Sequence, residues 1–182
     1  MRLKTMKFAA LGTALLLVVG CSRNNVHRSL DASIHQIDGS PKVLADYQPW
    51  FGDKQHISVG YSTQDPETLR RQIRQAKNMG IYGFAVDWYG DRQPFLDRSY
   101  ALLQQIAAEN NFHVALMYDE TEEDTGHATD DALQAFDKAY RQYIGPGAPG
   151  REAYLTYNGR PVIFIFPKRG HTDWDQVRQM VN

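Results

Sequence analysis

Two hydrophobic periods alternate along this chain, and the alternation begins at Val43. Four short apolar runs, Val43 to Tyr47, Gly83 to Asp87, His113 to Tyr118 and Pro161 to Pro167, have strand length. Each is followed by a longer stretch with apolar residues every three or four positions, the spacing of an amphipathic helix. Asp65-Pro66-Glu67 is a strong helix start: the aspartate accepts from free amides, proline suits the first helical position and the glutamate favours the dipole. Leu69, Ile73 and Ala76 line the buried face of that helix. Arg70, Arg71, Arg74 and Lys77 fall mostly outward as a solvated face, and Gly80 ends it. A second helix is predicted over Arg98 to Asn111, burying Leu102, Leu103 and Ile106. A third runs from Ala132 to Tyr143 and stops at the breaker-rich stretch from Gly145 to Gly150; a fourth opens at Asp173-Trp174-Asp175. Strands apolar on both faces, alternating with amphipathic helices, predict an α/β fold with a parallel sheet covered by helices.

In such sheets the carboxyl ends of the strands open into the ligand crevice. Three of the four strand exits carry polar and aromatic residues together: Tyr47 with Trp50, Asp87 with Trp88 and Tyr89, and Tyr118 with Asp119 and Glu120. Convergence on one topological end points to a binding rim. Carboxylates accept hydrogen bonds from sugar hydroxyls, while Trp50, Trp88 and Tyr89 offer flat faces for pyranose rings. Asp87, Asp119 and Glu120 are also the carboxyl groups from which an acid pair would be drawn, and spacing along the chain leaves their separation open. They are assigned to substrate binding, with no catalytic residue named.

Composition narrows the remaining classes. The chain has 182 residues, enough for one domain with a sizeable core. Arg2, Lys4 and Lys7 precede the apolar run Phe8 to Val19 and then Gly20-Cys21, so residues 1–20 read as a secretory signal. Val18-Val19-Gly20-Cys21 resembles the lipobox of bacterial lipoproteins, which makes Cys21, the single cysteine, the expected lipidation site. Residues 21–42, polar and without periodicity, are the expected tether between membrane and domain. The expected location is a lipid-anchored position in the bacterial cell envelope, on the outer membrane or cell surface if the host is Gram-negative. Removing residues 1–20 takes three of 20 basic residues and no acid, leaving 17 against 21 and a net charge of −4. A mildly acidic domain without a basic run argues against nucleic acid or anionic lipid as the main partner. His127 and His171 lack metal-ligand spacing, Gly145 to Gly150 lacks the lysine of a phosphate loop, and the acidic run from Asp119 to Asp124 meets no calcium-loop pattern. No metal and no cofactor are expected.

Taken in order, the segments are similar to a known family. Tyr47-Gln48-Pro49-Trp50-Phe51-Gly52, then Asp65-Pro66-Glu67, then Gly80-Ile81-Tyr82-Gly83-Phe84-Ala85-Val86-Asp87-Trp88-Tyr89-Gly90 resemble the opening of glycoside hydrolase family 71/99-like proteins, which include endo-α-mannosidases. His113 to Tyr118 and Gly159 to Phe166 resemble that family's third and fourth strands, so the likeness covers residues 43–182. The resemblance implies a (β/α) barrel of which this chain carries about the first four strand–helix units, acting on or binding α-linked, mannan-like glycans; the alternative is a non-catalytic carbohydrate-binding or structural envelope lipoprotein. It places sugar-touching residues in the first-strand loop, which adds Tyr47 and His56 to the rim. It also places the catalytic carboxylates on a later Trp-Asn-Glu-Trp-like segment that this sequence does not contain. The chain is therefore expected to lack the bond-breaking acids, and an incomplete barrel is expected to expose a sheet edge through which copies associate.

Overall fold

A strand presents alternate residues to opposite faces, and this rule organises the whole domain. The computed structural model describes residues 42–122 and 125–181. The expected signal segment, the lipid-bearing Cys21 and nearly all of the tether lie outside the described residues. Strand β1 (Leu44–Tyr47) leads to α1 (Pro66–Asn78), β2 (Gly83–Trp88) to α2 (Pro94–Glu109), and β3 (His113–Asp119) to α3 (Ala128–Ala139). A short antiparallel hairpin, β4 (Thr156–Tyr157) and β5 (Arg160–Pro161), then precedes β6 (Ile163–Phe166) and α4 (Trp174–Val181). The four long strands form one sheet in the order β1-β2-β3-β6, every neighbour parallel. The α/β alternation expected from periodicity is present.

Boundaries moved for local reasons. Helix α2 starts at Pro94, four residues before the predicted Arg98, because proline fits the first turn and Leu96 adds to the buried face. Helix α3 begins at Ala128 instead of Ala132, and after Ala139 it loosens into a π-turn over Tyr140–Ile144. The start of α1 follows the prediction: Asp65 accepts from the amides of Glu67 and Thr68 at 3.3 and 3.0 Å. The chain turns sharply after β2 at Gly90, whose φ of 63° suits glycine and whose added Cβ would lie 3.1 Å from the Ala135 side chain.

Register assigns the two faces. Phe84, Val86 and Trp88 of β2 pair with Val114, Leu116 and Tyr118 of β3, and all six are buried. They pack against Leu69 and Ile73 of α1, Tyr100 and Leu103 of α2, and Phe136 of α3 in one continuous core. Each large apolar side chain buried this way stabilises the fold by about 1.5–3 kcal/mol. Ala45 and Tyr47 pair with Phe84 and Val86, so they share the helix-side face. Asp46, Ala85, Asp87, Met117 and Asp119 have the opposite parity and point to the other face of the sheet.

Trp88 is fully buried, its ring set edge-on to Tyr118 and Tyr143 at 6.4 and 6.2 Å. Its indole Nε1 donates to Asp97 Oδ1 at 2.9 Å, and the Tyr143 hydroxyl donates to the same oxygen at 2.6 Å. Lys138 Nζ reaches Asp97 Oδ2 at 2.8 Å and pairs with Asp91 as well. Burial opposes the charge of Lys138, but its bonds to Asp91 and Asp97 outweigh that and hold it above the usual lysine range. A partly buried carboxylate is tolerated here because its oxygens are matched by donors. Trp88→Ala is expected to lower unfolding free energy by about 3–5 kcal/mol in urea titration. Trp88→Phe should recover most of the packing while leaving Asp97 short of one donor.

Candidate functional site

The strand exits converge, but through one face only. Asp46, Asp87 and Asp119 lie on three adjacent strands and on the face away from the helices. Asp46 is level with Ala85 and Asp87 with Met117, so each carboxylate sits two residues further along its strand than the last. They make a diagonal acidic row that runs from exposed Asp46 to buried Asp87 and Asp119. Beyond the end of β2, Tyr89 has the same parity as Asp87, and its phenol lies close enough to feel the charges of both Asp87 and Asp119. Lys168, in the segment after β6, places Nζ 2.7 Å from Asp119 Oδ1 and 3.6 Å from Glu122 Oε1. The same ammonium lies 5.8 Å from the centre of the Tyr89 ring. Arg92 crosses from the other side, 5.5 Å from the Tyr89 ring, and donates to the Asp119 carbonyl.

Asp87 is 3% exposed, and its Oδ1 is buried with no hydrogen-bond partner among the described residues. Burial, and then the charge of Asp119, push its carboxyl up to about 6, against the opposing hydrogen bond from Tyr89. Burial likewise lifts Tyr89 above the usual phenol range, reinforced by the charges of Asp87 and Asp119. The centre thus offers an unsatisfied acceptor, a neutral phenol and an ammonium within one small crevice. Such a set suits a neutral ligand with several hydroxyls, which both donate and accept.

The remaining expected rim residues separate into three groups. Trp88 and Tyr118 belong to the core face, Tyr118 set edge-on to Phe136 and Trp174, so neither ring presents a platform to the crevice. Tyr47 faces α1, where its hydroxyl donates to Gln72 Oε1 at 2.7 Å and its ring stacks on Phe84 at 4.8 Å. For these three the expectation is corrected, and the cause is parity: each is an even step from a core residue. Glu120 is corrected for another reason. It is 2% exposed, its Oε2 accepts from the Lys168 amide at 2.6 Å, and its Oε1 accepts from the Thr172 amide at 3.0 Å. Burial opposes its charge, but bonds from Thr172, Lys168 and Gly170 hold its carboxyl below the usual range. Glu120 is the clamp that sets the loop carrying Lys168.

Trp50 and His56 lie in the loop leaving the carboxyl end of β1, stacked on each other at 5.0 Å. That loop is tied down by Thr63, whose amide donates to the Phe51 carbonyl at 2.7 Å and whose hydroxyl donates to the Pro49 carbonyl. Among the described residues no cluster of His, Cys, Asp and Glu is arranged to hold a metal ion. Asp87, Tyr89 and Asp119 were expected at this crevice from the sequence; Asp46, Arg92 and Lys168 were not. The parity of Asp46 in β1 was a usable signal; Lys168 becomes visible only when β6 pairs with β3.

Two solved structures share this architecture. Both are of the GH99 endo-alpha-mannosidase from Bacteroides thetaiotaomicron, one of them in complex with Bis-Tris propane. Each superposes with a TM-score of 0.50 over 68% of this chain, at 20% and 18% sequence identity. This chain has a GH99-like fold. Its four parallel strands and intervening helices are a partial (β/α) barrel, and the match spans 41% and 44% of the two solved chains. No protein-family model matches the sequence, and no curated protein matches it.

The raised carboxyl gives a measurable pH dependence. The folded value of Asp87, about 6, exceeds the unfolded one near 4, so the native state holds this proton more tightly. Stability contributed by the protonated form is lost as pH rises from about 4 through 6. Asp87→Asn removes that loss. The melting temperature of the variant minus that of the parent should climb through this window and level off above it, by a few degrees in total; a flat difference would contradict the assignment.

Proposed function

We propose that this GH99-like domain recognises α-linked, mannan-type glycans at the crevice formed by Asp87, Asp119, Tyr89 and Lys168. The observation that carries the reading is the buried, unpartnered Oδ1 of Asp87 at the carboxyl end of the sheet. A sugar hydroxyl donating to that oxygen would satisfy an acceptor whose isolation costs about 1–3 kcal/mol. The stacked Trp50 and His56 pair, at the same end of the sheet, supplies the apolar contact first sought at Trp88. The likeness to endo-alpha-mannosidase structures supports the choice of glycan class.

Binding is preferred to bond cleavage for these acids. Hydrolysis needs two carboxyl groups free to act on the scissile bond, and the one beside Asp87, Asp119, is committed to Lys168. The whole enzyme's acid pair is placed in further barrel units, by the family resemblance. Such units would pair with the free edge of β6, where Ile165 and Phe166 are 37% and 49% exposed. They would also cover a groove of about 1240 Å³ lined by Phe136, Ile163, Ile165 and Trp174. A second copy meeting the same edge is the route to self-association. The anchor is the acylated Cys21, which holds the domain on a bacterial envelope membrane.

Calorimetric titration with an α-mannan oligosaccharide tests the reading. The parent should bind; Asp87→Ala and Tyr89→Ala should weaken binding about tenfold or more while remaining folded by circular dichroism. A folded parent that ignores mannan and other α-linked oligosaccharides would refute it. In a bacterial host, labelled fatty acid should enter the parent and not the Cys21→Ser chain.

A further inference from the structure

The amino-terminal end of the sheet, opposite the acidic crevice, carries a second and chemically different pocket. It has a volume of about 390 Å³ and is lined by Lys42, Lys77, Tyr82, Asn111 and His113 over a floor of Phe112. No carboxylate is among its described lining residues. Lys42 Nζ donates to the Tyr82 hydroxyl at 3.2 Å and lies 4.4 Å above its ring. Lys77 Nζ donates to the Asn110 carbonyl at 2.7 Å. Neither ammonium has an anionic partner among the described residues. The His113 ring stacks on Tyr82 at 4.3 Å, and its Nδ1 is buried without a hydrogen-bond partner. Two ammonium groups, a phenol and an amide around one concavity make a donor set for a multiply charged oxyanion. The rim beside it is apolar: Val43 and Met79 are 55% and 70% exposed.

The position of this pocket chooses among anions. Lys42 lies two residues before β1, so the chain enters the domain at this end of the sheet. We propose that the pocket seats the phosphate of a phospholipid headgroup, with Val43 and Met79 dipping into the interface, so that the domain stands on the membrane with its crevice outward. The proposal rests on the lipid-anchor reading for the membrane and on the pocket for the contact. It revises the exclusion of anionic lipid drawn from net charge, because lysines scattered in sequence are gathered by the fold.

The test uses the full chain with Cys21→Ser, so that no acyl chain is attached. An environment-sensitive fluorophore is placed at Met79→Cys or, separately, at Gln55→Cys in the loop at the opposite end. With vesicles of phosphatidylglycerol and phosphatidylcholine the Met79 probe should shift to the blue and the Gln55 probe should not. Lys42→Glu combined with Lys77→Glu, with melting temperature unchanged, should weaken the Met79 response about tenfold or more. Equal responses at both probes, a silent Met79 probe, or a double variant that binds like the parent would each overturn the proposal. So would saturation by inorganic phosphate without any response to vesicles. None of these outcomes depends on acylation of Cys21 or on glycan binding, so the earlier readings fail or stand separately.

Discussion

The structure depends on one geometric constraint, the alternation of side chains along parallel strands held in register. Parallel neighbours line up residue by residue, so a position's parity decides its fate across the whole sheet. One parity meets the helices and must be apolar, which Phe84, Val86, Val114 and Leu116 satisfy. The other parity meets the crevice, where Asp46, Asp87 and Asp119 share one face and Lys168 pairs with Asp119. Each carboxylate thereby stands near the next across the sheet, and mutual repulsion adds to burial in raising Asp87.

Two polar devices hold the crevice in shape from outside it. Asp97 gathers Trp88, Tyr143 and Lys138, and Lys138 in turn grips Asp91 in the turn that bears Arg92. Glu120 binds the amides of Lys168 and Thr172, so the loop that delivers the ammonium is fixed from β3. Glu120 is buried and Asp97 partly so, and the oxygens of both are matched by donors, which lets them order the rim instead of destabilising the core. Lys168 therefore meets Asp119 already oriented, and little ordering remains for a ligand to impose.

Periodicity made most of the fold legible. Helix α1, with its Asp65-Pro66 start, and the strands before α1, α2 and α3 fall within a residue or two of expectation. The hairpin before β6 was hidden because its two-residue strands carry no period. The site was half legible. Asp87, Trp88 and Tyr89 were read as one acid–aromatic unit, although adjacent residues in a strand cannot share a face. Trp88 and Tyr118 looked like platforms because composition alone does not separate a ring that stacks on sugar from one that fills a core. Glu120 looked like a ligand contact because its amide partners lie some fifty residues away and only β3–β6 pairing brings them near. Lys168 was silent for the same reason.

The parity of β2 has a consequence for how such a domain changes over time. Phe84, Val86 and Trp88 answer to folding, while Ala85, Asp87 and the following Tyr89 answer to whatever occupies the crevice. Two unrelated selective pressures are interleaved in one short stretch without acting on the same residue. A lineage can therefore change the chemistry of the crevice by altering every second residue of the strand, with the even positions left to keep the scaffold intact.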